Sequence, residues 1–314
     1  MDLRQLRYFR TIAEFGSISA ASQQLGIAQP ALSLHVRNME ERLGVKLLAR
    51  EARGVSLTEA GELMARRSRM LLDEMTRLED DIRNLGSSPT GDVRLGLPGT
   101  IGGILSVPLV LAGKESYPGI RLTIGEAMSG FVLDWLREGQ TDIAILYLPA
   151  EDQRFRSDLL LSEELVLIAP KGAVMEEPFQ PEHLTTVPLI LPSPAHGLRT
   201  LLDVWAKQHR ITLNATVELD SYSNIKTLVQ QGYGYSILPL HAVAANAGDG
   251  HLRVLKFHKD ELRRNVFLVW DTSRPSSHAA AAIIQLTRKI IDDLVGSGIW
   301  AGARQEGQAL WADG

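Results

Sequence analysis

The 314-residue sequence contains no cysteine. That excludes a disulfide framework, a thiolate metal site and thiol redox chemistry. Long apolar runs are missing as well, since none approaches the roughly 20 residues a membrane helix needs. The opening segment carries Arg4, Arg7 and Arg10 but no apolar h-region, so it does not read as a signal peptide. A cytoplasmic protein with no membrane partner is the expectation. Enzyme signatures are absent too: there is no P-loop, G-x-G-x-x-G, H-E-x-x-H or G-x-S-x-G. The eight histidines are scattered, with no close pair at metal spacing. Asp80-Asp81 and Asp292-Asp293 are neighbours whose side chains point apart on a helix, so neither is a catalytic dyad. We expect no enzyme, no cofactor and no metal.

What is present is ordinary in bulk, with 45% apolar and 22% charged residues, and long enough for two or three domains. The charge is unevenly spread. Residues 1–70 hold eleven Lys/Arg against seven Asp/Glu, a net of +4, so with −4 overall the remainder carries −8. A basic head on an acidic body fits a nucleic-acid reader joined to a part that does something else.

Leu3, Leu6, Phe9 and Ala13 recur at helical spacing. Gly16-Ser17 ends that helix and offers an N-cap to a short one, Ile18 to Leu25, after which Gly26 supplies a turn. Pro30 suits the first turn of a third helix. There Ala28, Leu32, Val36, Met39 and Leu43 form an apolar stripe, and Gln29, Ser33 and Arg37 occupy the opposite face at i, i+4 steps. A short helix, a glycine turn and a longer helix with hydrogen-bonding side chains near its start is the helix-turn-helix pattern, here at residues 17–43. Val45–Leu48 and Val55–Leu57 flank a polar hairpin and predict a small β wing carrying Arg50 and Arg53. We assign DNA contacts to Ser17, Gln29, Pro30, Ser33 and Arg37, with Arg50 and Arg53 on phosphates. Leu34 offers at most a contact to a thymine methyl.

Thr58 caps a helix expected from Glu59 to about Leu85, with Leu63, Met70, Met75, Leu78, Ile82 and Leu85 as an apolar strip. A helix so long and exposed usually packs against a copy of itself. Gly86 to Gly91 reads as a hinge. Beyond it strands are expected near Val93–Leu97, Arg121–Glu126, Asp142–Leu146, Leu159–Ala169, Leu189–Leu191, Ala215–Glu218, Tyr235–Leu238 and Asn265–Trp270. Helices are expected near Ile101–Glu115, Gly130–Glu138, Leu198–His209, Asn224–Gln231 and His278–Gly296. That rhythm predicts α/β architecture with mostly parallel sheets. The tail at 297–314 reads either as a loose extension or as a small docking helix.

The segment LRYFRTIAEFGSISAASQQLGIAQPALSLHVRNMEERLGVKLLAREARGVSLTEAG resembles the LysR-type transcriptional regulators, with the family's spacing and no gap. Glu138 to Asp142, and Gly232-Tyr233-Gly234 before Ile237-Leu238-Pro239, resemble the family's effector domain. Within the family the chain is most similar to the branch containing nitrogen-assimilation-control regulators. The resemblance implies an all-α winged helix-turn-helix over 1–58 and a linker helix and hinge over 59–91. It further implies an α/β effector domain over 92–296, two-lobed and like a type 2 periplasmic binding protein. Its lobes would be about 92–163 plus 267–296, and 164–266, with 297–314 a C-terminal extension. The implied partners are double-stranded DNA, a small-molecule effector, further copies of the chain as a dimer of dimers, and RNA polymerase. An architectural DNA binder that senses no ligand is the alternative, and it predicts a filled cleft.

In related regulators three strand-to-helix segments face one another across the cleft between lobes. Here they are Pro98-Gly99-Thr100, Ser129-Gly130, and Pro192 to Arg199 with His196. Open α/β sheets collect ligands at the carboxyl ends of their strands, and backbone N–H groups at helix starts attract anions. Pro98, Gly99, Thr100, Ser129, His196 and Arg199, with Tyr147 after the third strand, would suit a small organic or aromatic acid. Equally, Thr100 and Ser129 are candidates for plain helix caps, Arg199 for an ordinary ion pair and His196 for a loop polar group.

Overall fold

The computed structural model describes residues 1–51, 54–83, 88–174, 179–248, 250–257, 262–273 and 276–305. Arg53, Leu85, Gly86-Ser87 and residues 306–314 lie outside these. The chain divides into two compact units, Met1–Ser87 and Ser88–Gly314. No helix among the described residues is long and apolar enough to cross a membrane.

In the first unit α1 (Leu3–Phe15) starts in a capping box, with Asp2 accepting from the Gln5 N–H and Gln5 accepting in return. Then come α2 (Ile18–Leu25), the Gly26 turn with φ of 66°, and α3 (Gln29–Leu43). Ile12, Ala21, Leu32 and Val36 form one buried cluster, and Phe9, Met39 and Leu47 a second. The expected stripe on α3 is therefore buried at its middle three positions, while Ala28 and Leu43 at its ends are exposed. Strands β1 (Leu48–Glu51) and β2 (Gly54–Leu57) pair antiparallel as a wing.

Glu40, missed by the sequence reading, ties the wing to α3. Its buried carboxylate accepts from the Leu47 and Leu48 N–H groups at 2.9 and 3.2 Å and from Lys46 Nζ at 2.6 Å. Helix α4 (Glu59–Arg83) follows, its first turn capped by Thr58 Oγ1, which accepts from the Gly61 N–H at 3.1 Å. Gly61 permits close approach there, because a Cβ would stand 2.0 Å from the Leu47 carbonyl oxygen. Leu72 is buried, but Leu63, Leu71, Met75, Leu78 and Ile82 stay exposed along α4.

The second unit alternates as expected over β3 (Gly91–Leu97), α5 (Gly99–Ser116), β4 (Ile120–Glu126), α6 (Ser129–Arg137) and β5 (Ile143–Leu146). Then follow β6 (Phe155–Pro170), β7 (Leu189–Leu191), α7 (Gly197–Gln208), β8 (Ala215–Glu218), α8 (Tyr222–Gln230) and β9 (Ser236–Pro239). Helix α9 (Leu240–Gly248) and strand β10 (Leu252–Lys256) are additions to the expected set, before β11 (Arg263–Asp271) and α10 (His278–Gly296). The expectation of mostly parallel sheets needs correcting. Only β3 with β4, β3 with β5, and β7 with β8 pair parallel among the described strands. The long β6 pairs antiparallel with β11, β10 and β9, and β11 antiparallel with β5.

The reason is that β6 serves two cores. Leu161 belongs to a cluster built on Val93, Leu95, Ile143, Ile283 and Leu294, whereas Leu165 to Ala169 belong to another built on Ile190, Leu202, Ile225 and Ile237. The return crossing falls between Leu262 of the latter and Val266 of the former. A strand out and a strand back run side by side, which forces antiparallel pairing. The start of the tail docks. Trp300 is buried in the first core, and β12 (Ala303–Arg304) pairs with β6.

Candidate functional site

Two surfaces collect the predicted residues. On α3, Gln29 and Pro30 are exposed at the helix start and Ser33 is half-buried one turn on. Arg37 is exposed too, with its Nε 2.7 Å from Glu41 Oε1. Exposed pairs of this kind are weak, so the pair holds the guanidinium only loosely. Ala28 makes no side-chain cap, which leaves the first N–H groups of α3 free for an anion. Leu34 is 55% exposed beside them, an apolar contact on an otherwise polar face. Ser17 instead caps α2, accepting from the Ala20 N–H at 3.3 Å. Arg50 is exposed on β1, and Arg53 is outside the described residues.

In the second unit Pro98, Gly99, Thr100, Ser129, Tyr147 and His196 line one cavity of about 220 Å³. Glu126, Ala127, Met128, Asp220 and Tyr222 complete its wall. It opens at the carboxyl ends of β3, β4, β5, β7 and β8, where the starts of four helices meet. The N-caps of α5 and α6, Pro98 and Met128, offer no side-chain hydrogen bond, so both first turns present bare N–H groups. The start of α7 is satisfied by His196 Nδ1, which accepts from the Leu198 N–H at 3.1 Å, and that of α8 by Ser221.

Arg199 is not brought to the cavity. Its guanidinium is spent on Asp203, Glu218 and the Pro192 carbonyl at 3.0 to 3.2 Å, fixing the loop that carries His196.

Under the cavity lies a buried ionic knot that the sequence reading missed. Arg264 pairs with Glu163, both essentially without exposure. Its Nη2 donates to the Tyr147 hydroxyl at 2.9 Å, its guanidinium carbon sits 3.6 Å from the Tyr147 ring centre, and Tyr147 shares a short hydrogen bond with Thr100. The hydroxyls of Thr100 and Tyr147 are thus largely committed to the floor. Trp300 Nε1 donates to Glu163 Oε2 at 3.1 Å, and His241 bridges, with Nδ1 3.2 Å from Glu163 and Nε2 3.3 Å from the Thr100 carbonyl.

Burial by itself would raise the Glu163 carboxyl, but Arg264 and His241 prevail and hold it down at about 2. Burial, helped by Arg264, lowers the His196 imidazole and keeps it neutral. With Nδ1 accepting, the neutral ring carries its proton on Nε2. Burial raises the Tyr222 phenol, whose oxygen is enclosed without a hydrogen bond of ordinary geometry.

Glu163 and Arg264 had a sequence signal. Each belongs to an adjacent like-charged pair, Glu163-Glu164 in the middle of an apolar strand and Arg263-Arg264 at the start of another. Asp220 and Tyr222 follow β8 at a fourth strand-to-helix step, the same pattern that picked out the other three.

Residues 3–62 match the family described as bacterial regulatory helix-turn-helix protein, lysR family, and residues 86–290 match the LysR substrate binding domain. The chain is 30% identical over 312 residues to an uncharacterized HTH-type transcriptional regulator, YfeR, of Shigella flexneri, covering 99% of this chain and 98% of that one. It is 31% identical over 252 residues to the nitrogen assimilation regulatory protein nac of Klebsiella aerogenes, covering 79% and 81%. Among solved structures, a full-length OxyR from Pseudomonas aeruginosa aligns with a TM-score of 0.75 at 24% identity, covering 98% and 99%. HinK, a LysR family regulator from the same organism, aligns at 0.59 and 24%, covering 93% and 99%. These relatives and families are regulators and not enzymes. The chain belongs to the LysR family of transcriptional regulators.

Proposed function

We propose that the protein binds promoter inverted repeats sequence-specifically through paired heads, and that a small organic acid held in the cavity between the two cores switches it. The observation that carries the reading is the convergence of four helix starts, two of them uncapped, on one cavity at the strand ends. Each start contributes about half a positive charge. Such a place favours a carboxylate without needing a cationic side chain.

Because the wall combines segments before and after the β6 crossing, a bound ligand stabilises one arrangement of the two cores over others. The exposed row Leu63, Leu71, Leu78 and Ile82 on α4 supports pairing with a second copy. Two heads joined in that way would present two α3 helices to successive major grooves. A ligand-free architectural role predicts a filled cleft, and the open cavity counts against it.

The test has two arms. Selection of duplexes from a random pool should return an inverted repeat for the wild type and a relaxed consensus for Gln29→Ala. In a thermal-shift screen of small carboxylates, a stabilising hit should also change affinity for the selected duplex, and Ser129→Trp, which fills the cavity, should abolish both responses. Stabilisation without any change in DNA affinity would sink the switching role.

A further inference from the structure

Among the described residues, the charged side chains lining the cavity are both acidic, Glu126 at the end of β4 and Asp220 after β8, and none of those lining residues is a lysine or arginine. They come from the two different cores. Asp220 is fixed by Ser193, whose N–H and hydroxyl donate to it at 2.8 and 3.1 Å. Glu126 lies along the first turn of α5, and Gly102 makes the room. A Cβ at 102 would stand 2.1 Å from Glu126 Oε1.

Two carboxylates set −2 against roughly +0.5 from each of four helix starts. The cavity is therefore close to neutral in sum, and since Glu126 already lies beside the start of α5, the bare N–H groups at the start of α6 are the ones left for an anion. Arg264 does not tip this balance, because Glu163 neutralises it beneath the floor. A simple carboxylate would satisfy the N–H groups and face the two acids uncompensated. A dipolar ion matches both.

One further group points to a ligand of this polarity. His196 is 8% exposed, its Nδ1 is occupied by the Leu198 N–H, and its Nε2–H is left as a neutral donor at the cavity wall. Tyr222, edge-on to His196 with ring centres 5.6 Å apart, adds an aromatic wall beside it, its hydroxyl facing Arg264. The cavity, about 220 Å³, is large enough for a small amino acid.

We propose that the effector is a zwitterion, an α-amino acid or a close relative. Its carboxylate rests on the start of α6 with the Ser129 hydroxyl, and its ammonium lies between Glu126 and Asp220. This rests on the reading of the cavity as the effector site and narrows it.

The experiment uses the full chain, thermal shift and titration calorimetry. The twenty L-amino acids are compared with the des-amino acid and the carboxamide of whichever binds best. At least one amino acid should stabilise saturably, and loss of either charged group should weaken binding by about tenfold or more. Glu126→Gln and Asp220→Asn should each weaken the amino acid about tenfold and leave the des-amino acid unweakened, with circular dichroism checking that the fold persists. A des-amino acid that binds wild type as tightly as its parent overturns the proposal, as does binding indifferent to both substitutions. If simple carboxylates bind and alter DNA affinity while amino acids do not, the organic-acid reading survives and the zwitterion falls. If neither series binds, both fall.

Discussion

In the N-terminal unit the candidate contacts run from Gln29 to Arg37 on one face of one helix, and they are exposed side chains. In the C-terminal unit they run from Pro98 to Tyr222 over five strand ends, and much of the recognition falls to backbone N–H groups. The contrast follows from what each part must read. Base edges in a groove are distinguished by donor and acceptor patterns that only side chains at fixed spacing can match. A small ion is held by converging dipoles, which any strand-to-helix turn supplies. The head can therefore change its target by single substitutions on a stable scaffold.

The largest expected effect breaks the floor of the cavity. Arg264→Ala leaves the Glu163 carboxylate buried without its counter-ion, which should cost about 3–5 kcal/mol in the C-terminal unit. Chemical denaturation of the full chain, followed by a probe in that unit, measures it. The pair Arg264→Met with Glu163→Leu should recover most of the loss. Equal destabilisation of single and double variants would contradict the assignment of the cost to an unpaired charge.

Next in size is a pH effect on the same pair. The Glu163 carboxyl is lowered from 4.5 to about 2 in the fold. A depressed carboxyl stabilises the native state above its unfolded value, and that contribution fades as pH falls from about 4.5 toward 2. Its full size is about 3 kcal/mol. The stability gap between wild type and Glu163→Gln should hence be greatest at neutral pH and close across that window. A gap constant with pH would mean that Glu163 acts by shape alone.

How far each half was legible in the sequence repeats the same contrast. The helix-turn-helix was readable because its signals are local: the Gly26 turn, Pro30, and Leu32, Val36 and Met39 at helical steps all lie within a few turns of one another. The like charges of Glu163-Glu164 and Arg263-Arg264 in apolar strands were a signal for each residue alone, but their pairing was not readable, because the partners stand about a hundred positions apart. The sheet direction failed for a related reason. Alternation of strands and helices reports parallel crossovers, but β6 and β11 pass between cores and must run oppositely. Helix α9 was missed because Leu240 begins it directly after β9, with no loop to mark the change. At the cavity, the strand-to-helix rule located five of the wall residues and the end of the third strand gave Tyr147, yet the rule also drew in Arg199, whose partners Asp203 and Glu218 were invisible to it.

On the head, Gln29→Ala should reduce discrimination between the selected duplex and random DNA by about 1–3 kcal/mol, leaving binding to random DNA nearly unchanged. Polarisation titrations of both duplexes measure it. Because Gln29 is exposed, thermal stability should not move.

The smallest effect separates positioning from reading within the head itself. Arg50 lies exposed on the wing, on β1 and not on α3. As a phosphate contact it carries no base information, so Arg50→Ala should weaken selected and random duplexes by the same factor. One fewer phosphate neutralised lowers the slope of log K against log salt by about 0.9. The affinity change should accordingly shrink as salt is raised, whereas the discrimination lost in Gln29→Ala should persist. If Arg50→Ala instead reduced discrimination at high salt, the wing would belong with α3 among the base-reading elements, and the head would read DNA with two elements rather than one.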